Sequence, residues 1–224
     1  MFEGFSPQTI DFMWNLRFNN QKTWFDAHKD EYRNDFLNPM KALGQDVFAQ
    51  IQAAYGNHGF IHKVSRIYKD ARRSRGDGPY RDHLWFSIEK PSEEWTSTPV
   101  FWFELSPDTW SYGLGYYQAR PTTMAKLRAR LDKNPQGFEK LIAPLAKQED
   151  FVLDGADYIR KKAAPTPQLD DWYNKKSFSL VHQQPNGPEL FAPALTHRLV
   201  QGYRFLMPLY DYLVTLDADP TPEA

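Results

Sequence analysis

The chain predicts an α+β fold, a mainly antiparallel sheet packed by N-terminal and C-terminal helices, and three observations carry that prediction. Apolar residues recur at helical spacing through the first 56 residues. Between residues 60 and 118 the pattern changes to short apolar runs joined by brief polar turns. Such connections are too short for the helical crossovers that parallel strands need, so the runs read as an antiparallel meander. Helical spacing then returns from Ala192 to Val214.

Each element has its own signal. Ser6-Pro7 starts a helix, with Ser at the N-cap and Pro in the first turn. Ile10, Phe12, Met13, Trp14 and Leu16 give it a wide apolar stripe, and Asn19-Asn20 ends it. Trp24, Phe25, His28, Tyr32 and Phe36 continue at helical spacing as a second helix. Pro39 breaks that helix or opens a third, which runs through Met40, Leu43, Val47 and Ile51 to Gly56. Val64 to Tyr68, Leu84 to Ile88, Val100 to Leu105 and Trp110 to Tyr117 read as strands. The third is nearly all apolar, which predicts burial on both faces.

Pro121 opens a helix through Met124, Leu127 and Leu131, and Asn134-Pro135 opens another through Phe138, Leu141 and Leu145. Phe151 to Leu153 and Tyr158 to Lys161 are short strand candidates, Gln168 to Tyr173 a helical turn, and Ser177 to His182 a strand. Ala192 to Val214 predicts a long helix interrupted near Pro208. The expected organisation is one domain over residues 1–216: helical over 1–56, sheet core over 60–118, mixed over 119–216. A flexible tail follows over 217–224.

Composition bounds the function. With 27 Lys and Arg against 28 Asp and Glu, the net charge is -1 over 224 residues. That balance argues against bulk nucleic-acid binding, which needs a broad basic face, but not against one local basic site. No cysteine is present, so disulfides and thiolate chemistry are excluded and a reducing compartment is expected. Residues 1–7 carry neither a basic region nor an apolar run, so no signal peptide is expected, and no window predicts a membrane span.

Neither a metal nor a cofactor is expected. His58 and His62 are spaced as a helical pair, but Gly59 and the following strand spoil the geometry. Gly113-Leu114-Gly115 lacks the third glycine and the helix of a dinucleotide fingerprint. Inside a strand, these glycines instead mark a close approach, of a ligand or of packed protein.

The segment from Arg66 to Arg81 is where a site is expected. Arg66, Lys69, Arg72, Arg73, Arg75 and Arg81 crowd a stretch that also holds Asp70, Ser74, Gly76, Asp77, Gly78 and Pro79. A long polar loop between strands is usually functional or disordered, and Ile67, Tyr68 and Tyr80 argue for order. The candidate ligand-binding residues are Arg66, Asp70, Arg72, Ser74, Tyr80 and Arg81. Arginine suits the role because its planar fork makes bidentate contacts to phosphate or carboxylate. Tyr80 serves as a wall or as a buried anchor. His83 at the loop's exit is an acid–base candidate, with Asp70 at the loop's entry as the Asp that could orient it. The same arginines could instead pair with Asp70, Asp77 and Asp82 purely to hold the loop together.

Specific strings in the chain carry a family resemblance. They are Gly4-Phe5, Phe18-Asn19-Asn20 with Trp24-Phe25, Arg66-Ile67-Tyr68-x-Asp70-x-Arg72-x-Ser74, and Pro79-Tyr80-Arg81. Gly113-x-Gly115, Lys176-Ser177-Phe178 and Met207-Pro208-Leu209-Tyr210 add to them. Together they resemble the bacterial family catalogued as domain of unknown function 2461, over nearly the whole chain. The resemblance implies one α+β domain in the cytoplasm and supplies no activity. The chain departs from the family pattern inside the loop, where Arg73 replaces an aromatic and Asp77 a lysine.

Two function classes follow. One is a protein that binds a small anionic ligand on the arginine-rich loop, with or without turnover. The other is a non-catalytic module that docks this loop on an acidic protein or nucleic-acid surface. Oligomeric state leaves no mark in the sequence.

Overall fold

The computed structural model describes residues 1–70, 78–93 and 95–222, and of Trp95 the backbone alone. Helix α1, Pro7–Phe18, starts as its sequence dictates. The Ser6 hydroxyl accepts from the Thr9 N–H, and the Thr9 hydroxyl accepts from the Ser6 N–H, a reciprocal box that satisfies two otherwise orphaned donors. Asn19 is its C-cap.

The expected second helix is broken into α2 (Lys22–Ala27), α3 (Lys29–Glu31) and a π turn over Tyr32–Leu37, which runs straight into α4 (Asn38–Tyr55). The break at His28 has a local cause. Its Nδ1 donates to the Trp24 carbonyl at 2.7 Å, while its backbone N–H turns to Phe25 instead. A side chain has taken the acceptor that the helix ladder needed. Pro39 lies in the first turn of α4, where its missing N–H costs nothing.

The strands are β1 (Ile61–Val64), β2 (Leu84–Glu89), β3 (Val100–Leu105), β4 (Thr109–Gly115), β5 (Val152–Asp154) and β6 (Ser179–Pro185). They form one six-stranded antiparallel sheet in the order β1-β2-β3-β4-β6-β5. Helices α5 (Pro121–Lys133), α6 (Pro135–Ile142), α7 (Asp170–Tyr173) and α8 (Leu195–Val214) complete the named elements. The chain is thus α+β, as its patterning predicts.

Three local expectations are corrected. Strand β3 is not buried on both faces: Phe101, Phe103 and Leu105 are fully buried, whereas Val100, Trp102 and Glu104 are partly exposed. The apolar run conceals an alternation, because a large Trp and the aliphatic stem of Glu can line a half-covered face. Tyr158 to Lys161 forms no strand; the neighbouring Asp157 makes a single bridge to Lys175. Helix α8 runs through Pro208 without a break. Leu206, Met207, Leu209, Tyr210 and Leu213 are buried around it, and their packing offsets the one ladder bond the proline removes.

The chain divides into two compact units, each assembled from three stretches. The first comprises residues 1–88, 102–112 and 183–202. Its core includes Phe86 and Phe103, whose rings stack at 5.4 Å, and Phe5 beyond them. The second comprises residues 89–101, 113–182 and 203–224. There Phe101 packs between Tyr203 and Tyr210, and Phe138, Trp172 and Phe178 form an edge-to-face series. Among the described residues no helix is long and apolar enough to cross a membrane.

Candidate functional site

The two arms of the basic segment are zipped together in the first unit. Tyr68 and Tyr80 form an antiparallel bridge, Lys69 donates its N–H to the Pro79 carbonyl, and Arg81 donates to that of Ile67. Asn20, just past α1, extends this pairing with a side chain. Its Oδ1 accepts from the Tyr80 N–H at 3.0 Å, and its Nδ2 donates to the Tyr80 carbonyl at 2.8 Å. The Tyr80 ring is 3% exposed and stacks on Phe25 at 4.1 Å. It anchors the segment to the helical part of the core.

After Tyr80 the chain bends at Asp82 and becomes regular strand at Leu84, from where alternate residues face the same side. Tyr80, Leu84 and Phe86 turn inward and are buried, while Arg81, His83 and Trp85 remain partly exposed. The Arg81 guanidinium lies 5.1 Å from the centre of the Trp85 ring, and the His83 ring lies 5.8 Å from it. Trp85 is the shared floor for both.

Arg81 Nη1 donates to the Arg66 carbonyl at 2.8 Å and to the Tyr68 carbonyl at 2.5 Å. These two bonds use both hydrogens of that nitrogen and fix the plane of the fork. Among the described residues Nε and Nη2 have no acceptor, and they are the pair of donors that matches two oxygens of a carboxylate or phosphate.

His83 is held from the other side. Its Nδ1 donates to Asp82 Oδ1 at 2.9 Å. Arg17, from the last turn of α1, donates through Nε to Asp82 Oδ2 at 2.6 Å and through Nη1 to Asp108 Oδ2 at 3.0 Å. The Arg17 guanidinium also lies 4.6 Å from the Trp14 ring centre. Asp108 sits in the β3–β4 turn, whose carbonyls at Ser106 and Pro107 both accept from Asn186 Nδ2. A chain of hydrogen-bonded polar groups therefore runs Asp108–Arg17–Asp82–His83. The bond to Asp82 engages Nδ1 and leaves Nε2 as the other ring nitrogen.

Asp82 is held well below the usual carboxylate range, first by the hydrogen bond from His83 and then by that from Arg17. A carboxylate whose folded pKa is depressed stabilises the fold above its unfolded value near 4, and that stabilisation is lost as pH falls through the folded value. Asp82→Asn should therefore cost about 1–2 kcal/mol at pH 7 after solvent screening, and clearly less, though not zero, at pH 2, which lies below the unfolded value but not below the folded one. Urea melts at the two pH values check this, and an equal loss at both would show that the charge network contributes nothing.

The structure brings together only part of the predicted set. Arg66 is exposed and contributes its carbonyl to the Arg81 fork, so its removal strands no buried charge. Asp70 is partly exposed at the end of the first arm. Arg72 and Ser74 lie outside the described residues. Arg17, Asn20, Trp85 and Asp108 were not among the sequence candidates. The 65-residue separation of Arg17 from Asp82 explains that omission, since only the fold pairs them. The alternation of Arg81, His83 and Trp85 was a usable signal. Gly113 and Gly115 are explained by β6, whose Leu180 carbonyl and Ser179 Cα occupy the space where side chains would stand. Among the described residues, no group of three His, Asp or Glu side chains is placed to hold a metal ion.

The family model described as "Conserved hypothetical protein (DUF2461)" matches residues 8–212, nearly the whole chain. No curated protein matches the chain.

Proposed function

Since the chain belongs to the DUF2461 family, whose description assigns no chemistry, we propose from the site alone that it binds a small anion bearing a carboxylate or phosphate at the exit of the basic segment. The observation that supports this is the Arg81 guanidinium. Two backbone carbonyls hold it rigid, while the bidentate edge of the fork has no partner among the described residues. Preorganisation of this kind removes the side-chain entropy that binding would otherwise cost. His83 supplies a second donor when protonated and a proton acceptor when neutral. The Asp82 carboxylate orients it as in general acid–base sites, so turnover of the bound anion is the stronger form of the proposal. Arg72 and Ser74 belong to it as additional ligands.

The test is a melt with phosphate, sulfate or succinate at constant ionic strength. A saturable rise in Tm is expected, about 2.7 kcal/mol of stabilisation at a hundredfold excess over Kd. Arg81→Lys keeps the charge and loses the fork, so the rise should shrink at least tenfold in apparent affinity. Arg81→Ala should also lower the unliganded melt, because two carbonyls lose a charged donor. If chloride gives the same rise, the effect is screening and the anion-site proposal fails. If only an acidic polymer binds, with steep salt dependence, the segment docks on a macromolecule instead.

A further inference from the structure

The second unit holds a cleft of about 500 Å³, and all its lining residues belong to that unit. Lys90 and Pro91 past β2, Thr98 before β3, Thr123 and Lys126 of α5, and residues 213–218 at the end of α8 line it. Tyr116, just past β4, also lines it. The Tyr116 side chain is 6% exposed, and its hydroxyl has no hydrogen-bond partner among the described residues. A buried hydroxyl left unsatisfied is costly, and native structures rarely keep one without a use.

Other polar groups at the cleft are already engaged. The Ser97 hydroxyl donates to the Gln118 carbonyl, and that of Thr215 to the Tyr212 carbonyl. Lys126 Nζ donates one hydrogen to the Asp217 carbonyl at 2.9 Å, which holds the ammonium at the rim and leaves two more donors. Thr123 belongs to the first turn of α5, where backbone N–H groups have no acceptor within the helix. Lys90, Lys126 and the carboxylate of Asp217 give the lining a net charge of +1, from two cations and one anion.

We propose that this cleft is a second binding site, for a small polar molecule carrying one carboxylate or phosphate, and that Tyr116 donates its hydroxyl to that anionic group. Lys126 and Lys90 balance the charge. The hydroxyl is the donor in this contact because burial pushes its ionisation well above the ordinary tyrosine range, so it keeps its proton across the physiological span. The volume lies within the usual range of small-molecule sites.

Calorimetric titration in the Arg81→Ala background isolates this cleft from the basic segment. Inorganic phosphate and succinate are the two probes, and their relative affinities tell which anionic group is preferred. Saturable binding of at least one is expected in that background. Adding Tyr116→Phe should weaken it at least tenfold while leaving the unliganded Tm equal or higher, because only an unsatisfied group is removed. Lys126→Met should also weaken it. Binding by neither probe, or equal binding with and without Tyr116→Phe, overturns the proposal. Loss of binding accompanied by a Tm drop in Tyr116→Phe would also overturn it, by showing that the hydroxyl has a structural partner.

Discussion

Gly113→Ala should destabilise the chain by about 3 kcal/mol, which lies at the upper end of overpacking costs. A Cβ built at Gly113 falls 1.8 Å from the Leu180 carbonyl oxygen and 3.0 Å from its carbon. Both obstacles are backbone atoms of β6, the strand next to β4 in the sheet. No side-chain rotation relieves the overlap; the strands themselves must move apart, and that breaks ladder bonds. Loss of this size is a large fraction of the 5–15 kcal/mol that typically separates folded from unfolded. Gly59→Ala makes the useful contrast. Gly59 has a φ of +67° and nothing within 4 Å of its built Cβ, so only backbone strain of about 1–2 kcal/mol applies. Urea melts of both variants would separate space from strain. A Gly113→Ala chain that melts with the wild type would show that β4 and β6 do not approach so closely.

The glycines show how far the sequence could be read. A glycine pair inside a strand announces that something comes close, but not whether it is a ligand or a neighbouring strand. Boundaries marked by local chemistry were legible. Ser6-Pro7 opens α1, and Pro121 and Asn134-Pro135 open α5 and α6. Strand β3 matches its apolar run from Val100 to Leu105. What depended on one specific hydrogen bond was not legible. Periodicity reads Trp24 to Phe36 as one helix because it cannot register His28 taking the Trp24 carbonyl. Val64 to Tyr68 reads as a strand, yet β1 ends at Val64 and Tyr68 pairs separately with Tyr80. At the site, Arg81 and His83 could be named because they stand beside the loop. Arg17 and Asp108 could not, because their relation to Asp82 exists only after α1 and the β3–β4 turn are in place.

The same long-range logic gives a second large effect, at Arg130. This residue of α5 uses every donor it has. Nε and Nη2 grip the two oxygens of Asp219, Nη1 donates to the Tyr212 carbonyl at 3.0 Å and to the Thr215 hydroxyl at 2.9 Å, and Nη2 also donates to the Thr215 carbonyl at 2.8 Å. Its guanidinium lies 5.2 Å from the Tyr212 ring centre. Tyr212 and Thr215 are at the C-terminal end of α8, where carbonyls lack helical donors and a cation is favoured. One side chain therefore caps α8, fastens it to α5 and ties down the residues beyond it. Arg130→Met keeps the aliphatic stem over Tyr212 and removes all five bonds. The Arg130 side chain is 23% exposed and that of Asp219 28%, so solvent softens the loss; about 2–3 kcal/mol is expected rather than the 3–5 kcal/mol of a fully buried pair. The hydrogen bond from Arg130 is also the main cause of the lowered pKa of Asp219. The ionic share is therefore present above the unfolded value near 4 and fades as pH falls through the folded one. Arg130→Met should lose much of its penalty at pH 2, and Asp219→Asn added to it should cost almost nothing further. Fully additive losses in that double-mutant cycle would show that the two residues stabilise the end of α8 independently.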